Sequence, residues 1–151
     1  MTPRRDSAER FRDLPMFADC SDAELAEIDR LTDEVHMEAG RVIMRQGDLG
    51  QEFAVIVSGT AQVVKDDVVV AELGPGDYFG EVALLEAIPR TASVIASSDL
   101  LLEVIDRRGF NTLLDDLPSL SRSMLKGMAH RLVELELVCQ QLRQAAAERP
   151  S

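Results

Sequence analysis

Short apolar runs separated by Gly, Asp and Ser fill the sequence from Val35 to Asp106, and this alternation restricts the fold more than any other feature. The runs are rich in Val and Ile and include Phe53 to Val57, Val68 to Leu73 and Ala92 to Ala96. Asp66-Asp67 predicts a hairpin turn, and Gly74-Pro75-Gly76-Asp77 predicts a tight turn, since glycine permits positive φ and proline restricts φ. Short strands with frequent turns favour a closed roll or sandwich over a parallel sheet.

Helical spacing flanks this β segment on both sides. Ser21-Asp-Ala-Glu24 forms a capping box ahead of apolar residues at helical spacing, which predicts a first helix after a polar N-terminal tail at residues 1–13. Helical spacing returns after Arg107, and Pro118 marks the start of a long helix at about residues 119–147, followed by a tail at residues 148–151. We therefore predict one mainly β domain at residues 14–147, a double-stranded β-helix or jelly roll with N-terminal helices and a long C-terminal helix.

The segment from Phe79 to Val94 contains the groups needed to hold a small sugar phosphate. Gly80 lets the backbone approach a ligand closely, and the residues after it predict a short helix whose free N–H groups can meet a phosphate. Glu81 offers two acceptor oxygens for ribose hydroxyls. Arg90 offers a planar donor fork that fits two phosphate oxygens at once.

This segment resembles the phosphate-binding cassette of cyclic-nucleotide-binding domains, the module of catabolite activator proteins and protein kinase A regulatory subunits. The surrounding motifs appear in the order typical of that family. They are Gly40-Arg-Val-Ile, Gln46-Gly-Asp48, Phe53-Ala-Val-Ile56, Ser58-Gly-Thr60, Leu73-Gly-Pro-Gly-Asp77, Arg108-Gly-Phe110 and Leu113-Leu114. The resemblance covers roughly residues 14–135, and an ordered series of glycine turns ending in Pro-Arg-Thr-Ala is far more specific than a lone Phe-Gly-Glu.

The resemblance implies a role for each residue of the cassette. Gly80 and Glu81 would bind the ribose 2′-hydroxyl, while Arg90 and the hydroxyl and N–H of Thr91 would bind the cyclic phosphate. The N–H groups near Val82 and Ala83 would also face the phosphate. The last helix would cover the base, which makes Arg131, Glu134, Leu135 and Glu136 candidate base contacts. The alternative is a cassette kept for folding, in which Arg90 forms a salt bridge with Glu81 and nothing binds.

The net charge of −11, from 27 acidic and 16 basic residues, argues against direct DNA binding, which relies on clustered Lys and Arg. The same charge repels a nucleotide anion, so attraction at the site must come from short-range contacts. No segment is apolar enough to cross a membrane, and no secretion signal follows the N-terminal arginines, so we expect a cytoplasmic protein. Cys20 and Cys139 lack a Cys-x-x-Cys pattern, which favours buried or half-buried structural thiols over a disulfide framework.

Neither histidine, His36 or His130, has a second ligand at a spacing typical of zinc or iron sites. This argues against a metal site and against a cupin-type metalloenzyme on a similar β roll. No nucleophile elbow or Cys and His pair suggests covalent catalysis, so we expect neither an enzyme nor a cofactor beyond the nucleotide ligand.

The long C-terminal helix carries apolar residues at alternating spacings of three and four, the a/d seam of a two-helix coiled coil. They are Leu125, Met128, Leu132, Leu135, Cys139 and Leu142. One interpretation is a homodimer through this helix, as in the activators that the chain resembles. The other is an amphipathic helix packed on its own roll, since Val133 and Val138 widen the stripe beyond a strict seam.

Cyclic AMP and cyclic GMP share ribose and phosphate, so the choice between them depends on contacts to the base. Thr91 occurs beside the arginine in members of either preference, and we expect cyclic AMP because it is commoner among single-domain members. The activators follow their last helix with a helix-turn-helix, which this sequence lacks. The expected function is therefore a cyclic-nucleotide sensor that signals through its C-terminal helix to a dimer or protein effector, as a free-standing protein or one domain of a longer one. The alternatives are a ligand-free interaction scaffold of the same fold and a small β-roll enzyme.

Overall fold

The computed structural model describes Phe11, residues 14–81, Leu84 and residues 88–148. The helices are a short 3-10 helix at Pro15–Phe17, α1 at Asp22–Leu31, α2 at Arg107–Asp116 and α3 at Pro118–Ala147. The strands are β1 Asp33–Met37, β2 Val42–Met44, β3 Glu52–Ser58, β4 Ala61–Lys65, β5 Val68–Leu73, β6 Tyr78–Phe79, β7 Ser93–Ala96 and β8 Leu100–Asp106.

The eight strands form two antiparallel four-stranded sheets, with strand orders β1-β8-β3-β6 and β2-β7-β4-β5. The longest pairing joins β3 to β8, from Glu52 opposite Asp106 to Ser58 opposite Leu101. Side chains from both sheets form one buried apolar cluster, which includes Ile56, Ala61, Phe79, Val94, Ala96 and Leu102. The predicted jelly roll with flanking helices is confirmed, because short Val- and Ile-rich strands can bury their apolar sides only by pairing sheet against sheet.

The two predicted turns lie where the sequence places them. Asp66 and Asp67 both have positive φ, at 51° and 65°, and join β4 to β5 as the primed turn that suits a two-residue hairpin. At the other turn the Asp77 N–H donates to the Gly74 carbonyl at 3.0 Å, and the Gly74 N–H donates to Asp77 Oδ2 at 2.8 Å. Gly76 adopts φ 90° within it. This turn leads into β6 and so to the predicted ligand segment.

The helices pack on the outer face of the sheet that contains β3 and β8. The predicted capping box starts α1: the Glu24 N–H donates to Ser21 Oγ at 3.2 Å and the Ser21 N–H donates to Glu24 Oε1 at 2.9 Å. A second buried cluster joins Phe53 of β3 to Phe110 of α2, with ring centroids 4.9 Å apart. This cluster attaches α2 and the first turns of α3 to the roll.

Phe11 corrects the predicted N-terminal boundary. It falls within the polar tail predicted at residues 1–13, yet its side chain is fully buried and packs edge-on against Phe17 at 5.2 Å. One aromatic residue among charged neighbours gives no periodic signal, yet Phe11 belongs to the buried apolar cluster that also contains Leu25 and Phe53. The rest of the predicted tail lies outside the described residues.

Helix α3 begins at Pro118, one residue before the predicted start, and buries only Leu120 and Met124. At about 1.5 Å per residue its 30 residues span about 45 Å, so the helix extends well beyond the roll. Every described residue from Ala129 onward is exposed. In the part of the chain that the structure describes, no helix combines the length and apolar character needed to cross a membrane.

Candidate ligand-binding cleft

A cleft of about 1080 Å³ lies between the roll and α3. Gly80, Glu81, Arg90 and Thr91 line the wall formed by the roll, together with residues of β4 and β5 such as Val63 and Ala71. The facing wall comes from α3 and consists of Ser123, Lys126, Gly127, His130, Arg131 and Glu134. Small-molecule sites typically enclose about 300–1,000 Å³, so this cleft has room for a mononucleotide.

Arg90 is held at the base of the cleft by backbone carbonyls. The residue is only 9% exposed, Nη1 donates to the Gly80 carbonyl at 3.0 Å, and Nη2 donates to the Glu52 carbonyl at 2.7 Å. A guanidinium carries five N–H donors, so these two bonds orient the group while leaving others for a ligand. The predicted phosphate-binding arginine is therefore buried, oriented and part of the cleft wall.

The charge of Arg90 is constrained by its surroundings. Burial lowers the pKa of its guanidinium below the ordinary value, and the positive charge of Arg107 acts in the same direction, whereas the carboxylates of Glu52 and Glu81 raise it. An arginine so shifted still stays protonated at physiological pH. Because Arg90 is buried, water solvates its guanidinium poorly, so an anion that enters the cleft should interact with it strongly.

Gly80 permits this close packing. Its φ of 96° is in the left-handed region that side-chain-bearing residues rarely adopt. A Cβ at this position would lie 2.7 Å from Arg90 Nη1 and 2.7 Å from the Glu52 carbonyl oxygen. The glycine is therefore needed for both its backbone conformation and the contact that holds Arg90.

Glu81 faces the same cleft but pairs with the opposite wall. Its side chain is buried, and Arg131 of α3 donates through Nη1 to Glu81 Oε1 at 2.9 Å. Among the described residues, the cation in contact with Glu81 is thus Arg131 and not Arg90. The arrangement expected of a cassette kept only for folding, a direct salt bridge between Arg90 and Glu81, does not occur here.

Tyr78 joins the base of the cleft to α3. The Arg131 guanidinium lies over the Tyr78 ring at 4.4 Å from its centroid and donates through Nη2 to the Tyr78 carbonyl at 3.1 Å. The Tyr78 hydroxyl donates to the Met124 carbonyl at 3.3 Å. Burial raises the pKa of Tyr78, an effect that the charge of Arg131 partly opposes and that Glu81 and Asp77 reinforce, so the hydroxyl remains a donor.

The remaining predicted site residues have mixed outcomes. Thr91 lines the cleft, as expected. Glu81 and Leu84 are helical, in agreement with the predicted short helix, but Val82 and Ala83 lie outside the described residues. The predicted N–H contacts near them therefore stay predictions.

The α3 wall differs from the sequence prediction. Arg131 and Glu134 line the cleft, whereas Leu135 is 60% exposed and, like Glu136, is not part of the lining. Each residue turns about 100° around a helix axis, so the residue after Glu134 points away from the cleft. The structure thus gives no support to Leu135 as a base contact.

Sequence reasoning missed four residues of this wall, Ser123, Lys126, Gly127 and His130. Steps of three and four residues along the helix connect them with Arg131 and Glu134, and this spacing is the signal that could have found them. A Cβ on Gly127 would lie 2.7 Å from the Tyr78 hydroxyl, so this glycine brings α3 close to the roll. His130 Nε2 lies 3.0 Å from Glu134 Oε1 at the rim of the cleft.

Sequence comparisons identify relatives of the region that contains this cleft. The family profile described as "Cyclic nucleotide-binding domain" matches residues 34–116. A cAMP-dependent protein kinase regulatory subunit of Eremothecium gossypii is 37% identical over 105 residues, covering 69% of this chain and 23% of that protein. One from Mycosarcoma maydis is 40% identical over 124 residues, covering 76% of this chain and 24% of that protein. The chain thus spans about a quarter of the length of these relatives.

Solved structures with the same fold include the catabolite activator protein of Thermus thermophilus, with a TM-score of 0.77 and 29% identity, covering 85% of this chain and 63% of that one. A cAMP-bound structure of PfPKA-R gives a TM-score of 0.72 and 27% identity, covering 89% of this chain and 45% of that one. Both similarities extend over the roll and beyond the segment that the family profile matches.

Proposed function

The chain belongs to the family of cyclic nucleotide-binding domains, and from this premise we propose that it binds cyclic AMP in the cleft and acts as a regulatory module. The observation that carries the proposal is that Arg90 and Glu81 are both buried, line one cleft and are held by other partners. A guanidinium and a carboxylate that do not neutralise each other are available for a phosphate and a ribose hydroxyl.

Each cassette residue has a distinct proposed role. Arg90 pairs with the cyclic phosphate through N–H groups that the Gly80 and Glu52 carbonyls do not use. Glu81 accepts the 2′-hydroxyl through the carboxylate oxygen that Arg131 leaves open, and Thr91 adds its hydroxyl to the phosphate site. Because the whole chain carries a net charge of −11, these contacts must outweigh a repulsive long-range field.

The choice of cyclic AMP over cyclic GMP is supported by the named relatives, which are cAMP-dependent kinase subunits, and by the cAMP-bound PfPKA-R structure. Calorimetric titration of the intact chain with cyclic AMP, cyclic GMP and linear 5′-AMP tests it. Cyclic AMP should bind saturably and with the lowest Kd of the three. If none of the three binds, the ligand-free scaffold of the same fold replaces this proposal.

We further propose that ligand binding reaches α3 through Glu81. The contacts that support this are the ion pair between Glu81 and Arg131 and the hydrogen bond from Tyr78 to Met124. A ribose that draws on Glu81 must change the environment of Arg131, since both would use one carboxylate. A ligand alters an equilibrium only through such differential contacts.

Replacing Arg131 with glutamine should loosen α3. Because the Arg131 side chain is 42% exposed, the lost pair is worth about 1 kcal/mol, so amides near residues 127–131 should exchange hydrogen about fivefold faster. Hydrogen exchange followed by mass spectrometry measures this. Arg143→Gln, on the exposed end of the same helix, is the control and should leave exchange unchanged. Equal rates in both variants and the wild type would remove Arg131 from the route.

The exposed end of α3 supports a homodimer as the output of the module. On the predicted seam, Leu132, Leu135 and Leu142 are each at least 60% exposed, and only Met128 packs against the core of its own chain. The intramolecular interpretation therefore accounts for the first turns of α3 but not for the rest. In a parallel coiled coil, a and d residues of one helix pack into holes of its partner, which would cover these leucines.

Cys139 provides a direct test of that dimer. It occupies an a position and is exposed, so a parallel in-register pair would place the two Cys139 thiols opposite each other. Copper-phenanthroline oxidation should then give a disulfide-linked dimer of twice 16.6 kDa on a non-reducing gel. Cys20 should not contribute, because burial, with help from Glu24 and Asp19, raises its pKa to about 11 and suppresses the thiolate. Cys139→Ser should remove the dimer band; its persistence would contradict the seam.

A protein effector that reads the position of α3 remains the second proposed output. The expectations that the chain does not bind DNA directly, catalyses no reaction and is cytoplasmic stay predictions. They do not enter the argument for the ligand.

A further inference from the structure

The loop between β2 and β3, residues 45–51, is here called the strap, and it holds the backbone of Arg90. The Gly47 N–H donates to the Arg90 carbonyl at 2.8 Å, and the Arg90 N–H donates to the Asp48 carbonyl at 2.7 Å. Leu49 also forms a β-bridge with Pro89. The position of Arg90 therefore depends on the position of the strap.

A second arginine, Arg107, holds the other end of the strap. It is the first residue of α2, and its N–H donates to the Gln51 carbonyl at 2.8 Å. Its Nη2 donates to the Gly50 carbonyl at 2.8 Å, and its Nη1 donates to the Leu84 carbonyl at 3.1 Å. One guanidinium thus joins the strap to Leu84, which, like Glu81, is helical.

We propose that Arg107 is a positioning residue for the phosphate site, which fixes the strap relative to Leu84 and so orients Arg90. The inference rests on the proposed binding of cyclic AMP and assigns that site a residue outside the cassette. The planar fork of arginine suits the role, because it can hold two carbonyls in fixed directions, whereas lysine is a point donor on a flexible stem.

The charges of the two arginines support the same assignment. Arg107 lies close enough that its positive charge contributes to the lowered pKa of Arg90. An anionic phosphate bound to Arg90 would reduce the repulsion between these two cations.

A double-mutant cycle separates positioning from general stabilisation. In the wild-type background, Arg107→Gln should weaken cyclic AMP binding about tenfold. In the Arg90→Lys background the same substitution should weaken binding less than about twofold, because the guanidinium that Arg107 orients is already absent. Arg107→Lys should recover part of the loss. Arg108→Gln, which removes the neighbouring exposed arginine, is the matched control and should leave binding unchanged. Calorimetry measures the affinities, and thermal unfolding identifies any variant that fails to fold. If Arg107→Gln does not fold, Arg107→Lys takes its place in the double-mutant cycle.

The resonance of Arg90 Nε–H in ¹⁵N NMR spectra of the unliganded chain gives a readout independent of ligand. Arg107→Gln should shift it, and Arg108→Gln should not. Equal losses of affinity in both Arg90 backgrounds, or an unmoved Nε–H resonance, would overturn the positioning role. If no variant, including the wild type, binds cyclic AMP, the proposed function fails, while the resonance still decides the role of Arg107.

Discussion

Replacing Arg90 with alanine should abolish most cyclic AMP binding. Truncating one partner of a desolvated charge pair typically costs about 2–5 kcal/mol, which corresponds to a loss of affinity from about 30-fold to several thousandfold. The high end is expected here, because Arg90 is only 9% exposed and water cannot easily replace its guanidinium beside the phosphate. Calorimetric titration of the variant measures the loss, with Arg41→Ala, an exposed arginine on the same roll, as the control.

The same substitution also affects the fold, and the two effects must be measured separately. Alanine would leave the Gly80 and Glu52 carbonyls without their donor, and an unpaired buried acceptor costs about 1–3 kcal/mol. Arg90→Lys keeps the charge but not the fork, so its affinity should lie between those of the wild type and alanine variant. If a folded Arg90→Ala protein binds cyclic AMP as tightly as the wild type, the phosphate lies elsewhere.

The parts of this structure that depend on neighbouring residues can be predicted from the sequence. The capping box at Ser21, the hairpin at Asp66 and Asp67 and the tight turn at Gly74 each need only a few adjacent side chains, and all three are confirmed. The buried Val- and Ile-rich strands predict the roll by the same local logic. Arg90 and Glu81 can be assigned to one cleft because they lie only nine positions apart after a glycine turn.

The partners of those site residues could not be predicted, because they come from distant parts of the chain. Arg90 is held by a carbonyl of β3, Glu81 by an arginine of α3, and the strap by the first residue of α2. A carbonyl acceptor leaves no signature in the sequence, since every residue has one. The family resemblance makes Arg131 a candidate base contact, whereas the structure pairs it with the carboxylate proposed for the ribose.

Those long-range contacts also argue against the alternative in which the cassette is kept only for folding and binds nothing. It requires that Arg90 and Glu81 neutralise each other. Each has a separate partner instead, which keeps a cation and a carboxylate buried on one cleft. Such an arrangement is costly for stability alone, and a ligand with both a phosphate and a hydroxyl would use it.

Gly80→Ala should damage both stability and ligand binding, because backbone strain and steric overlap with Arg90 coincide there. Its φ of 96° costs an L-residue about 1–2 kcal/mol, and the new Cβ would also meet Arg90 Nη1 and the Glu52 carbonyl oxygen, each at 2.7 Å. The Glu52 carbonyl is held in β3, an inner strand of its sheet, so the Arg90 side chain has to shift instead. We expect a loss of stability larger than strain alone predicts, together with at least about tenfold weaker cyclic AMP binding.

Two other glycines separate these causes. Gly40 has φ 90°, but a Cβ there would meet nothing within 4 Å, so Gly40→Ala should show the strain of about 1–2 kcal/mol and normal binding. Gly74 has neither the positive φ nor a close neighbour, so Gly74→Ala should be nearly neutral. Thermal unfolding and calorimetric titration of the three variants measure both effects. If Gly80→Ala matches Gly40→Ala in both stability and affinity, the prediction is wrong. The Arg90 guanidinium would then move without cost, and its orientation toward the phosphate would not depend on the backbone at Gly80.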